Sequence, residues 1–164
     1  MRIGIIGGGI SGLMAAYKLS KSKDVNVTIF EKGKDLKERS CQVLQKKVDK
    51  CIKCKHCAIM EGMAGAGAFS DGKYNITTEY GGWLSDIRDE EEVLKYIEEA
   101  DSILVGFGAT EERYQPSNEL KKLCLQHDLR MLQGQCKHLG TDANYETMLH
   151  MIDYLKAYPR VEIK

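Results

Sequence analysis

Three glycines at Gly7, Gly9 and Gly12 give the spacing G-x-G-x-x-G, and each has its own task if a pyrophosphate is to be held. Gly7 permits a tight turn, Gly9 lets main-chain N–H groups close on the phosphates, and Gly12 lets the next helix lie close against a sheet. Ile10 and Ser11 fall between them, at the positive end of that helix, where amides point at an anion. Glu31 follows Gly12 by 19 residues, an interval at which a carboxylate accepts a hydrogen bond from the 2′-hydroxyl of an adenosine ribose. Lys32 comes next, and with Lys34 it keeps a ribose 2′-phosphate open as the alternative. The same unit can carry the ADP half of FAD or of NAD, so these residues do not choose between them.

A second glycine-rich stretch runs from Gly62 to Gly82 and includes Gly65, Gly67, Ser70, Asp71, Gly72 and Lys73. Small residues, a hydroxyl, an acid and a base together suit a main chain lying against a flat ring, and a surface loop is the competing reading. Cys51, Cys54 and Cys57 repeat every three residues, with Cys41 upstream. That run has the spacing of ferredoxin-type cluster loops, but Glu61 stands where the fourth cysteine would be, so Cys41 would have to close an iron–sulfur site. The same four thiols, or His56 in place of one, could instead hold structural zinc, or remain free and redox-active. His138 could exchange a proton with a bound ligand, oriented by Asp142 or Thr141; equally, Thr141 could cap a helix and leave His138 a strand residue.

Positioning such residues requires particular elements. Residues 2–6 form a short β-type run, and Ile10, Leu13, Met14, Ala16, Tyr17 and Leu19 recur at helical spacing. Residues 25–31 are β-branched and end at Lys32-Gly33, which predicts a βαβ opening with parallel strands. From Lys32 to Cys57 nine Lys/Arg face three Asp/Glu, and a loop-rich excursion is expected there. The second glycine zone is expected to be irregular as well. Asp89 before Glu90-Glu91-Glu92 predicts a capped helix to about Leu104, Ser117 a second to about Asp128, and Thr141 a third that Pro159 ends. In the third, Tyr145, Met148, Leu149, Ile152 and Leu155 read as core packing. Residues 161–163 begin a strand, from which the fold is expected to continue beyond Lys164.

The bulk properties narrow the function further. In 164 residues, 24 basic side chains balance 24 acidic ones, which argues against nucleic-acid binding through a general basic field and favours a small-molecule partner. The apolar N-terminus is broken by five glycines within twelve residues and is too short for a membrane span, so a cytoplasmic, reducing location is expected. The fold class is accordingly expected to be α/β, a Rossmann-like FAD/NAD(P)-binding fold with a parallel sheet, a cysteine-rich excursion and added helices. Its expected parts are a βαβ unit over 1–33, a Cys/Gly-rich region over 34–82 and a helical segment over 83–164.

Gly7 to Gly12, Phe30-Glu31-Lys32-Gly33, Cys51 to Cys57, Gly65-Ala-Gly-Ala-Phe-Ser-Asp-Gly-Lys73 and His138-Leu-Gly-Thr-Asp142 together resemble a family of poorly characterised FAD-dependent dehydrogenases along nearly the whole chain. The resemblance implies that the first motif holds the ADP half of FAD, with NAD(P)H a candidate reductant. It also implies that Ser70 to Lys73 and His138 to Asp142 lie towards the flavin or its substrate, with His138, Asp142 and Lys73 as the catalytic candidates. Family members are longer, and their second zone is denser in glycine than Gly62-Met63-Ala64. On that ground the chain is expected to be an N-terminal part that works with a C-terminal half or partner chain. The competing readings are a metal or redox-sensing module with a residual ADP-binding unit, and an NAD-binding module.

Overall fold

The computed structural model describes residues 1–164. It divides into two compact units, Met1–Ser70 with Asn144–Lys164, and Asp71–Ala143.

The first unit opens with β1 (Arg2–Ile6), α1 (Ile10–Ser20) and β2 (Asn26–Phe30), and closes with α4 (Thr141–Ala157) and β5 (Val161–Ile163). The strands form a parallel sheet in the order β1-β2-β5. The register aligns Ile3, Val27 and Val161 in one row and Ile5, Ile29 and Ile163 in the next. Because side chains alternate along a strand, these six share a face; Val27 and Ile29 are fully buried there, with Leu13 and Ala16 of α1 and Met148, Met151, Ile152 and Leu155 of α4 adding to the core. Tyr17 of α1 meets Tyr154 of α4 with ring centroids 5.6 Å apart. The opposite face presents Gly4 and Thr28 and leaves Ile6 and Phe30 exposed. The sheet is thus buried on one face, although parallel sheets are usually covered on both. The parallel βαβ opening and the returning strand are as the sequence predicts, and the fold is α/β and Rossmann-like.

Between Glu31 and Phe69 the only regular pieces are 3-10 turns at Leu36–Glu38 and Ala66–Phe69. The turn at Leu36 is capped by Asp35, whose side chain accepts from the Lys37 amide.

In the second unit β3 (Lys73–Ile76) pairs antiparallel with β4 (Gln135–His138), and Tyr114 exchanges both main-chain hydrogen bonds with Cys136 on the other side. The predicted irregularity of 62–82 therefore fails at β3, a strand of Lys-Tyr-Asn-Ile that is short and lacks an alternating apolar pattern. α2 (Glu90–Gly106) starts at Asp89, which accepts from the amides of Glu91 and Glu92. α3 (Asn118–Gln126) is capped by Ser117. Its expected apolar side is not buried; Leu120 and Leu123 are exposed. No helix is long and apolar enough to cross a membrane.

Candidate functional site

β1 ends where Gly7 turns with φ +97°, and its amide donates to the Phe30 carbonyl at 2.8 Å, so the loop is tied to β2. The next amide, of Gly8, donates to Glu31 Oε2 at 2.7 Å, while Gly33 donates to Oε1 at 2.8 Å. The carboxylate thus links the glycine loop to the turn after β2. A Cβ on Gly12 would lie 2.1 Å from the Gly7 carbonyl oxygen, which leaves glycine as the only residue that fits. Gly9, by contrast, has no atom within 4 Å of where its Cβ would stand. No side chain caps α1, and no acidic residue occupies its first turn. Uncapped amides at Ile10 and Ser11 beside open space at Gly9 are what a pyrophosphate needs, so the loop fits the phosphate half of a dinucleotide.

The second glycine zone packs directly on the first. Ala64 donates to the Gly8 carbonyl at 2.8 Å and bridges to Gly9, and a Cβ on Gly65 would lie 3.4 Å from Gly9 Cα. Arg39 holds this arrangement. Its guanidinium donates to the carbonyls of Ala58, Ile59, Met63 and Gly65 at 2.7–2.8 Å and lies 4.6 Å from the Phe69 ring. Burial pushes the Arg39 guanidinium below its ordinary value, against the opposing charges of Glu31 and Cys57. Asn144 donates to the carbonyls of Gly67 and Ser70 at 2.8 and 3.3 Å, fixing the end of the zone.

Beyond Glu31 lies a cavity of about 350 Å³ lined by Lys32, Gly33, Lys34, Arg39, Ser40, His56, Cys57, Ala58 and Glu61. Glu61 pairs with Lys32 at 3.3 Å and His56 at 3.4 Å. The Lys32 ammonium, with help from His56, holds the Glu61 carboxyl below the usual carboxylate range.

The expected four-cysteine centre is not assembled. Cys41, Cys51, Cys54 and Cys57 are free thiols, and no three His, Cys, Asp or Glu side chains converge as a metal site would require. The Arg39 bonds fix the carbonyls of residues 58 to 65, after the cysteine run, while Cys51 and Cys54 are exposed and Cys57 lines the cavity. The thiols as arranged do not fit a cluster or zinc.

In the second unit Asp71 lies between two of the proposed catalytic residues, 2.8 Å from Lys73 Nζ and 3.6 Å from His138 Nε2. Register explains this, since Lys73 and His138 are paired across β3 and β4. The Lys73 ammonium lowers the Asp71 carboxyl, and Asp71 in turn raises Lys73. The Gly72 carbonyl accepts from the Leu139 amide beside them. Asp142 stands in the first turn of α4, and the carboxylate beside His138 is Asp71, not Asp142.

Sequence reasoning missed Arg39, Asn144 and the buried pair Lys137–Asp101, whose Nζ and Oδ1 lie 2.7 Å apart. One signal was present for Arg39. It is the single arginine among eight lysines between residues 32 and 57, and a guanidinium has five N–H donors in a fixed fork against an ammonium's three, enough for four carbonyls.

No curated protein and no solved structure matches the chain. Residues 5–46 match the family model of an NAD(P)-binding Rossmann-like domain. That stretch contains the glycine loop, α1, β2, Glu31 and Arg39, and it forms the opening of the first unit's Rossmann-like fold.

Proposed function

We propose that the chain is the nucleotide-binding part of an oxidoreductase and that its first unit holds the ADP half of a redox dinucleotide. The observation that carries this reading is the Glu31 carboxylate bridging Gly8 and Gly33. It stands beside an uncapped helix start whose loop is open at Gly9. Gly7, Gly9, Ile10, Ser11 and Gly12 would bind the pyrophosphate, and Glu31 would orient the adenosine ribose. Gly65 and Gly67 would border the cofactor.

FAD is the carrier to which the dehydrogenase resemblance points. NAD(P)H is the second reading, favoured by the NAD(P)-binding family match and by the basic cavity after Glu31. Either carrier would supply hydride transfer to a small-molecule substrate, while the protein binds and orients it. In the second unit His138 and Lys73 around Asp71 form a group able to take or release a proton. Six free thiols accord with a reducing, cytoplasmic setting.

An anaerobic absorbance spectrum of the purified protein after incubation with FAD, together with titration by nicotinamide dinucleotides, tests the reading. A retained flavin spectrum or saturable dinucleotide binding is expected, lost in Gly12→Ala. Absence of binding by FAD and by both nicotinamide dinucleotides would overturn it.

A further inference from the structure

We infer that the exposed apolar patch just before α2 is a docking surface for a second copy of this chain, which engages it with its lysine-rich cysteine loop.

The patch is built around Trp83, the chain's one tryptophan, which is 84% exposed. Ile87 stands one turn later and is 77% exposed, and Leu84 is exposed between them. Hydrogen bonds hold the turn, since the Asp86 amide donates to the Trp83 carbonyl and the amides of Ile87 and Arg88 donate to that of Leu84. A tryptophan left in water forgoes one of the largest burial gains of any side chain. At interfaces tryptophan is enriched, in an apolar centre surrounded by polar groups. Here the surround is acidic. Between residues 86 and 92, Asp86, Asp89, Glu90, Glu91 and Glu92 stand against Arg88 alone, a net charge of −4. Asp89 caps α2, and the hydroxyls of Thr78 and Tyr96 donate to Glu90 and Glu92. Those neutral donors leave the charge in place, and Lys95 offers Glu91 only a long pair at 3.8 Å.

Charge identifies the occupant. Residues 46–55 hold five lysines and one aspartate, a net charge of +4, equal and opposite to the acidic run. Residues 49–56 are all exposed, and no ion pair within the chain engages Lys46, Lys47, Lys50, Lys53 or Lys55. Leu44 and Ile52 are exposed among them, so the loop also has apolar side chains within its charged surround. Opposite charges steer the two surfaces together and set their register, while the apolar side chains supply the burial. One chain carries both surfaces, and its net charge of zero adds no overall repulsion between copies. Because the surfaces differ, the contact is head-to-tail: each copy offers its patch to one neighbour and its loop to another. Such contacts close into a ring or extend as a chain of copies.

Sedimentation velocity of the purified protein under reducing conditions, with Trp83 emission recorded on the same samples, tests the surface. In about 0.01 M salt, species larger than a monomer are expected as concentration rises, with a blue shift of the emission; about 1 M salt should weaken the association by roughly tenfold or more. Asp86→Lys/Glu91→Lys and Lys50→Glu/Lys53→Glu should each abolish association of the pure variant. An equimolar mixture of the two should restore it, because each then offers the patch that the other's loop fits. Trp83→Ala changes no charge and should weaken association by roughly tenfold or more, with circular dichroism confirming the fold. A monomer at every concentration in low salt would overturn the proposal. So would association that leaves the Trp83 emission unshifted or persists undiminished in 1 M salt, in Trp83→Ala or in either double variant, and so would a mixture that stays monomeric.

Discussion

At the scale of single residues, the two neighbouring glycines of the loop separate folding from binding. Gly12→Ala drives a methyl group into the Gly7 carbonyl, so the loop must open, and a stability loss of about 1–3 kcal/mol is expected together with loss of nucleotide binding. Gly9 has φ −68° and ψ 177°, a conformation that alanine adopts freely, and there is space for its Cβ. Gly9→Ala should therefore keep the melting temperature within a few degrees of wild type while weakening the dinucleotide, because the methyl group fills the approach to the phosphates. Thermal unfolding and a binding titration on both variants check the contrast. Ala64 makes the opposite case. It is buried with φ +66°, a left-handed conformation that costs an alanine roughly 1 kcal/mol. Ala64→Gly is expected to stabilise the protein by up to about 1 kcal/mol in denaturant unfolding, less what the more flexible unfolded chain takes back. An unchanged or lower midpoint would mean that the neighbouring contacts, and not the φ angle, govern this position.

Among the elements, two links carry predictions. Asp35 caps the turn at Leu36 and pairs with Lys156 of α4. Partial burial raises its carboxyl, but the Lys156 hydrogen bond, the Lys37 amide and their charges outweigh that, and the net shift is downward from 3.8. A depressed carboxyl stabilises the fold fully above its unfolded value, and this is lost as pH falls from 3.8 through the lower folded one. Acid titration of Asp35→Asn should show a shallower loss of stability in that window than wild type; parallel curves would refute the link. In the second unit, α2 is fastened to β4 by Asp101 and Lys137, with Arg113 2.9 Å from the other carboxylate oxygen. Asp101→Ala strands a buried ammonium and is expected to cost about 3–5 kcal/mol. Asp101→Leu with Lys137→Met should cost less than the single change, a reversal of the usual addition that denaturant melts of both would reveal. These links also mark the limit of what the sequence discloses. β1, α1, β2 and the capped starts of α2 and α3 were legible because periodicity, Gly7 to Gly12, Asp89 and Ser117 act within a few residues. β3 was not, because its partner lies some sixty residues later, and neither was Arg39, whose acceptors are carbonyls that carry no side-chain signature. The cysteine spacing was legible as a motif, yet spacing along an irregular loop does not fix where its thiols point.

At the scale of the whole molecule the charges cancel, with a sequence pI near 6.9, while Ile6, Trp83, Ile87, Leu125 and Leu129 remain exposed. Proteins with little net charge associate most readily. Light scattering from a concentrated solution should therefore peak close to neutral pH and fall by pH 8.5, and a flat profile would assign association to apolar contact alone. The sheet order has a consequence in time. β2 lies between β1 and β5, and its Ile29 pairs with Ile163, 134 positions further along the chain. On a ribosome adding about 5–20 residues per second, those positions take roughly 7–27 s to appear. Throughout that interval β1, α1 and β2 can assemble, but the far edge of β2 stays unpaired. The glycine loop, with Ala64 and Gly65 packed on it, is thus complete long before the far edge of β2 is closed, and the nascent chain carries its finished opening unit while it waits for β5.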